Sequence, residues 1–263
     1  MATLVFVHAH PDDEASQTSG TMARAVAEGH RVVLVIATNG DHGEAAADLP
    51  PGQSVAQYRR GEAEAAARVI GTHRIVWLGY ADSGMSGWQQ NEHERAFSRA
   101  DVGQAAAKVA AVLDEEAADL VTTYDWHGGY GHPDHVHVHH VVHAAARLAR
   151  RRPRLLETTM NRDAMRREYR RLRELGVDGA FDPDSPMDDG NPFGTPEAEL
   201  HLRVDVSRFL EVKRAALAAH ASQQTDIGMF LSMPPDLFAR AFGVEYYIEP
   251  GREPGLRDGW ILD

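Results

Sequence analysis

The run Leu4-Val5-Phe6-Val7-His8-Ala9-His10-Pro11-Asp12-Asp13-Glu14 opens as a strand and closes as the start of a helix. Its first four residues are apolar and largely branched, the pattern of a strand buried on both faces. Pro11 fits the first turn of a helix, where its missing N–H costs no hydrogen bond. The acids behind it suit the positive end of the helix dipole. Outward from this stretch, the same change recurs at Leu120-Val121-Thr122-Thr123-Tyr124, followed by Gly131-His132-Pro133-Asp134-His135 and a second helical pattern. In an open parallel α/β sheet, ligands bind beyond the carboxyl ends of the strands. Two corners dense in His and Asp are therefore expected to face one crevice.

Between these corners, strands and helices alternate. Arg31–Thr38 and Arg74–Tyr80 read as strands, and Ala15–Glu28, Val55–Ile70 and Ala100–Ala117 as helices, the first two closed by Gly29 and Gly71. Beyond residue 150 the pattern loosens. Leu155–Met160, Leu202–Val206 and Val244–Ile248 read as strands, Ala164–Leu175 and Arg208–His220 as helices, and Gly176–Pro196 as a long surface loop. The expected fold is α/β, a Rossmann-like three-layer arrangement with a mostly parallel sheet. Residues 1–160 would form its catalytic core, and 161–263 a smaller α+β portion that completes the sheet and walls the pocket.

A chain of 263 residues with 43% hydrophobic and 25% charged residues is of ordinary globular composition. Its formal net charge of −12 argues against nucleic acid as a partner, because phosphate contacts need clustered Lys and Arg. The basic run from Arg150 to Arg154, and another from Arg166 to Arg173, read as solvated helix faces. There is no cysteine, which excludes disulfides and thiolate metal sites and suits a reducing cytoplasm. The apolar run before His8 is too short for a signal peptide, and none approaches the ~20 residues of a membrane span. A cytoplasmic protein is expected, acting on a small molecule without membrane attachment; a homo-oligomer is compatible with the sequence.

Helix-start chemistry explains Asp12, Asp13 and Glu14 but not the histidine ahead of them, nor the matching His-Pro-Asp-His element after the fourth strand. Nitrogen and oxygen donors without sulfur suit a catalytic zinc with one open position, and Fe(II) almost equally. His10, Asp13 and His135 supply two imidazoles and a carboxylate. Asp12 is then free to act as general base. His132 is free to stabilise an oxyanion as a cation or to protonate a leaving amine, with Asp134 orienting it through a hydrogen bond. The chemistry expected of such a centre is metal-dependent amide hydrolysis.

The stretches VHAHPDDE and GGYGHPDHVHVH together resemble the PIG-L/LmbE-like family of zinc-dependent N-acetylglucosaminyl deacetylases. The branch most similar serves mycothiol biosynthesis and removes acetate from an N-acetylglucosamine linked to inositol. TNGDHGE, YRRGE, DSGM and KRAALAAHASQ extend the likeness along the chain. The resemblance implies zinc on His10, Asp13 and His135, Asp12 as base, and His132 as acid or oxyanion stabiliser tuned by Asp134. It also implies that Tyr130 moves in to polarise the amide carbonyl, that Arg59 and Asp82 hold sugar hydroxyls, and that Glu44 borders the sugar pocket. Leu155–Glu199 and the loop after Asp82 depart from that branch. They would wall the pocket on the side away from the metal, where the group attached to the sugar is chosen.

Other features read plainly. His135, His139 and His143 share a helical face, but with no carboxylate in the local sequence the last two, with His137 and His140, read as helix surface. His8 reads as a packed histidine, His220-Ala221-Ser222-Gln223 as a helix end, and Trp77, Trp88, Trp126 and Trp260 as packing or rim. Tyr80 and Met85, flanking Asp82, read the same way.

Overall fold

Apolar runs place β1 (Thr3–His8), β2 (Arg31–Thr38), β3 (Arg74–Tyr80), β4 (Leu120–Tyr124) and β5 (Arg154–Thr159) side by side, all parallel, in the order β3-β2-β1-β4-β5. The computed structural model describes residues 1–263. The strand order reverses between β1 and β4, the switch point at which such sheets bind ligands. Both His-Asp corners leave the sheet there.

Alternation along β1 explains the layers. Leu4 and Phe6 join a core with Met22, Ala66 and Leu217, while Val5 and Val7 join another with Val109, Val138 and Val142. The first face carries α2 (Ser19–Ala27) and α3 (Val55–Ile70); the second carries α4 (Val102–Glu115) and α5 (Pro133–Leu148). The expected three-layer fold with a mostly parallel sheet is what the chain adopts. After α6 (Arg162–Glu174) come β6 (Leu202–Asp205), α7 (Leu210–Ala219), α8 (Asp226–Ser232), α9 (Pro235–Phe242), β7 (Val244–Ile248) and β8 (Arg257–Asp258). β7 pairs antiparallel with β5 and β6 antiparallel with β7, extending the sheet to eight strands. Leu202, Val204, Tyr247 and Ile261 continue the first core, and α7 lies over it. No helix is long and apolar enough to cross a membrane.

The helix expected over Ala15–Glu28 is two: α1 (Asp13–Gln17) and α2, interrupted at Thr18 with φ −129°. The break frees the first amides of α2 for a buried partner. Gly20 and Thr21 both donate at 2.9 Å to the carboxylate of Glu245 on β7. A Cβ on Gly20 would come within 2.6 Å of Val206, so only glycine permits that approach.

Arg154 ties β5 to the following strands: it donates twice to Glu249 at 2.9 Å and to the carbonyls of Ile261 (2.7 Å) and Asp263 (2.9 Å). Hydrogen bonds from Arg154 push the Glu249 carboxyl from its ordinary 4.5 down to about 2. A depressed folded pKa contributes stability that is complete above the unfolded value and fades as pH falls through the folded one. Arg154→Met is therefore expected to cost about 1–2 kcal/mol at pH 7, discounted because the pair is partly solvated. The difference from wild type should narrow between pH 4.5 and 2, as read by urea unfolding midpoints.

Candidate active site

His10 and Asp13 arrive from the end of β1, and His135 from the first turn of α5. Asp13 Oδ1 lies 3.2 Å from His135 Nε2, Asp13 Oδ2 lies 3.4 Å from His10 Nδ1, and the two imidazole nitrogens are 3.3 Å apart. Donors at about 2.0–2.1 Å from one zinc in tetrahedral array stand about 3.3–3.4 Å from one another. The three side chains are thus spaced to share one ion. Their chemistry, two imidazoles and a carboxylate without sulfur, fits Zn2+ or Fe2+. His132 also brings a nitrogen within 4.8 Å of donor atoms on His10 and His135.

Each donor is fixed from behind. His135 Nδ1 donates to the carbonyl of Gly128 at 3.1 Å, which leaves Nε2 as the lone-pair nitrogen. Gly128 has φ +67° and approaches so closely that a Cβ would lie 2.4 Å from that of His135. Tyr124 stacks on His135 with ring centroids 4.2 Å apart. Its hydroxyl donates to Asp13 Oδ2 at 2.7 Å and accepts from the Ala9 amide at 2.8 Å. In the sequence Tyr124 reads only as a strand end. Its signal was position: the last residue of β4, immediately below the second corner.

Asp134 stands elsewhere than expected. Its carboxylate lies 3.1 Å from His10 Nε2 and accepts from the Ser83 amide (2.9 Å) and hydroxyl. Only its backbone N–H meets His132, donating to Nδ1 at 3.1 Å. The carboxylate–imidazole pair therefore orients a donor, His10, rather than His132, because α5 turns the Asp134 side chain back toward the loop after β3. Asp82, 5% exposed, accepts from the Gly84 amide at 2.8 Å and lies 3.5 Å from His10 Nε2. Burial opposes charge on His10, yet Asp82, Asp13 and Asp134 raise its pKa well above the ordinary value. Burial likewise opposes charge on Asp13, yet His135 and His10 hold its carboxyl well below the usual range. Carboxylates this densely set around two imidazoles favour a cation.

His132 is buried, and burial together with its neighbours His10 and His135 holds its pKa well below the ordinary value. Both effects oppose the expected imidazolium. Because Nδ1 accepts the Asp134 amide, the proton of the neutral ring sits on Nε2. Tyr130, at 5.0 Å between ring centroids from His135, is pushed well above its ordinary pKa by burial and then by Asp13, so its hydroxyl keeps its proton.

Asp12 has φ +97°, a left-handed backbone that a non-glycine residue adopts only under constraint. The constraint comes from both sides. Its amide donates to Glu14 Oε2 at 3.1 Å, and its carboxylate accepts from Arg59 at 3.0 Å. Glu14 is in turn 2.7 Å from His220, both fully buried, which gives the expected helix-end histidine a buried acidic partner. Burial pushes the Asp12 carboxyl up to about 6 against the pull of Arg59.

The residues expected at the sugar differ in their freedom. Arg59, 3% exposed, spends its guanidinium on the carbonyls of Gly40 (2.6 Å) and Pro11 (2.7 Å) and on Asp12. Glu44 accepts from the hydroxyl of Thr225 and the amide of Gln224 (2.6 Å), fastening the loop after β2 to the segment after α7. The loop expected to lie away from the metal instead reaches the Gly-rich loop. Gly194 donates to the Gly129 carbonyl at 2.7 Å, Asp188 to that of Tyr130 at 3.2 Å, and Phe193 flanks the Tyr130 ring. Arg162 draws it in by donating to the carbonyls of Pro192, Phe193 and Gly194 at 3.0, 2.8 and 2.5 Å. His8 is packed as expected, 2.8 Å from Thr18 Oγ1. Trp88 and Trp126 are exposed, while Trp260 is buried.

Residues 5–146 match the family model described as PIG-L, GlcNAc-PI de-N-acetylase. A 1D-myo-inositol 2-acetamido-2-deoxy-alpha-D-glucopyranoside deacetylase of Saccharomonospora viridis is 39% identical, over 92% of this chain and 90% of its own length. A protein of the same name from Acidothermus cellulolyticus is 38% identical, over 94% and 88%. Among solved structures, an N,N'-diacetylchitobiose deacetylase from Pyrococcus horikoshii superposes with a TM-score of 0.58 at 21% identity, covering 94% of this chain and 82% of that one. Sequence and fold agree: the chain belongs to the PIG-L family of de-N-acetylases.

Proposed function

We propose that this protein hydrolyses the N-acetyl group of an N-acetylglucosamine-type sugar, with N-acetylglucosaminyl-inositol as its substrate class. The observation that carries the reading is the 3.2–3.4 Å spacing of His10, Asp13 and His135 beside the constrained Asp12. The substrate class is that of the deacetylases from Saccharomonospora viridis and Acidothermus cellulolyticus, which are similar to this chain over nearly its whole length.

His10, Asp13 and His135 would hold zinc, with Fe2+ as the alternative; such an ion polarises a carbonyl and lowers the pKa of water to about 7. Asp12 takes the proton of the attacking water as its oxygen bonds to the acyl carbon. His132, neutral and protonated on Nε2, donates a hydrogen bond to the developing oxyanion, and Tyr130 adds a second donor. As the C–N bond breaks, Asp12 returns its proton to the amine, and acetate leaves. Arg59 holds Asp12 in place, Asp134 holds His10, and Asp82 and Glu44 lie on the loops that border the sugar. Residues 161–263 act as the second portion of the fold, closing the pocket around Tyr130.

Acetate release from N-acetylglucosaminyl-inositol tests this reading. Chelator-stripped protein should be inactive and regain activity with added Zn2+. A mycothiol S-conjugate, which demands a larger pocket, should be cleaved at least about tenfold more slowly. Faster cleavage of the conjugate would shift the assignment to an amidase, and activity undiminished by metal removal would reject the centre.

A further inference from the structure

Two turns along α5 from the catalytic corner, His139 and His143 meet Glu157 of β5. His143 Nε2 lies 2.7 Å from Glu157 Oε1, His139 Nδ1 lies 3.7 Å from the same oxygen, and the two rings are 4.3 Å apart. The sequence showed no carboxylate beside these histidines. The missing acid comes from the neighbouring element, because β5 runs beneath this face of α5. One donor atom from each of the three lies within 4.8 Å of the other two.

We propose that His139, His143 and Glu157 form a second, separate site for a divalent transition metal of zinc type. Two histidines four residues apart on one helical face present both imidazoles to one ion. His139 Nδ1 lies 3.0 Å from the carbonyl of Tyr124 and 3.7 Å from Glu157 Oε1, so the ring is held against β4 and β5 together. Glu157 is 7% exposed and has no Lys or Arg within ion-pair distance; its salt-bridge partners are these two histidines. A buried carboxylate is stable when paired or metal-bound. A cation between the three would balance the charge of Glu157. His139 and His143 are part-exposed, which gives the ion an entry path. The bound ion would staple α5, which His132 caps and whose first turn carries His135, to β5.

Zn2+ titration by calorimetry at pH 7.5, with metal content checked after dialysis, is the test. Wild type should bind two ions per chain. His143→Gln and Glu157→Gln should each bind one and keep acetate release, while His135→Ala should also bind one, retaining the second site. One ion in wild type, lost in His135→Ala, overturns this proposal and leaves the catalytic centre standing. Two ions in both His143→Gln and Glu157→Gln also overturn it. Loss of metal from the catalytic ligands is read separately, by His135→Ala, so failure of that centre is distinguishable. Should a variant fail to fold, ring-nitrogen NMR of wild type replaces it. Zinc must shift the His143 resonance along with that of His139, and unmoved resonances reject the site.

Discussion

Asp12→Asn should keep its metal and lose turnover by about 10²- to 10⁴-fold, the range a positioned general base contributes. Asparagine preserves the shape of the side chain and still offers Arg59 an acceptor oxygen, so the hydrogen bond at 3.0 Å and the left-handed turn at φ +97° have no reason to change. What disappears is the capacity to hold a proton. The Asp12 carboxyl sits at about 6 because burial outweighs the pull of Arg59. A base works when ionised, so wild-type kcat/KM should rise with pH through this region and flatten above it. In Asp12→Asn that limb should vanish from the residual rate. Metal content equal to wild type separates loss of the base from loss of the centre. A variant with undiminished turnover would give the proton to another group, and His132 would be the first to examine.

How much of this was legible beforehand divides along a physical line. The parallel order β3-β2-β1-β4-β5 follows from continuous apolar runs and helical crossovers, and these are properties of segments. The grouping of His10, Asp13 and His135 was legible for the same reason, since each lies on a corner that follows the carboxyl end of a central strand. Periodicity says which residues share a face, but not what the face meets. Nothing local to Asp134 shows that its carboxylate reaches Ser83 and His10, and nothing local to His143 shows Glu157. Tyr124 was hidden by its ordinary place in an apolar strand, and the break at Thr18 by the good helical pattern on both sides of it. The partner that makes the break favourable, Glu245, is more than two hundred residues away.

That same carboxylate makes Lys213 the most consequential residue outside the site. Lys213→Met should destabilise the fold by about 3–5 kcal/mol, the cost of leaving a buried charge without its partner. The Lys213 side chain is 1% exposed and that of Glu245 2%, with Nζ and Oε1 2.6 Å apart. Methionine fills nearly the same volume, so the loss is electrostatic rather than a cavity. Glu245 would keep the amides of Gly20 and Thr21 at 2.9 Å and the Tyr247 hydroxyl at 3.3 Å, but these are dipoles and cannot neutralise it. Adding Glu245→Gln should recover part of the loss, because the neutral amide oxygen still accepts from α2. Recovery should stop short of wild type, since the amide nitrogen cannot accept from the second N–H. A double-mutant cycle from urea midpoints at constant m-value measures this coupling. A cost below about 1 kcal/mol for Lys213→Met would mean that water reaches Glu245, and with it the joint between α2, α7 and β7 on which the first core rests.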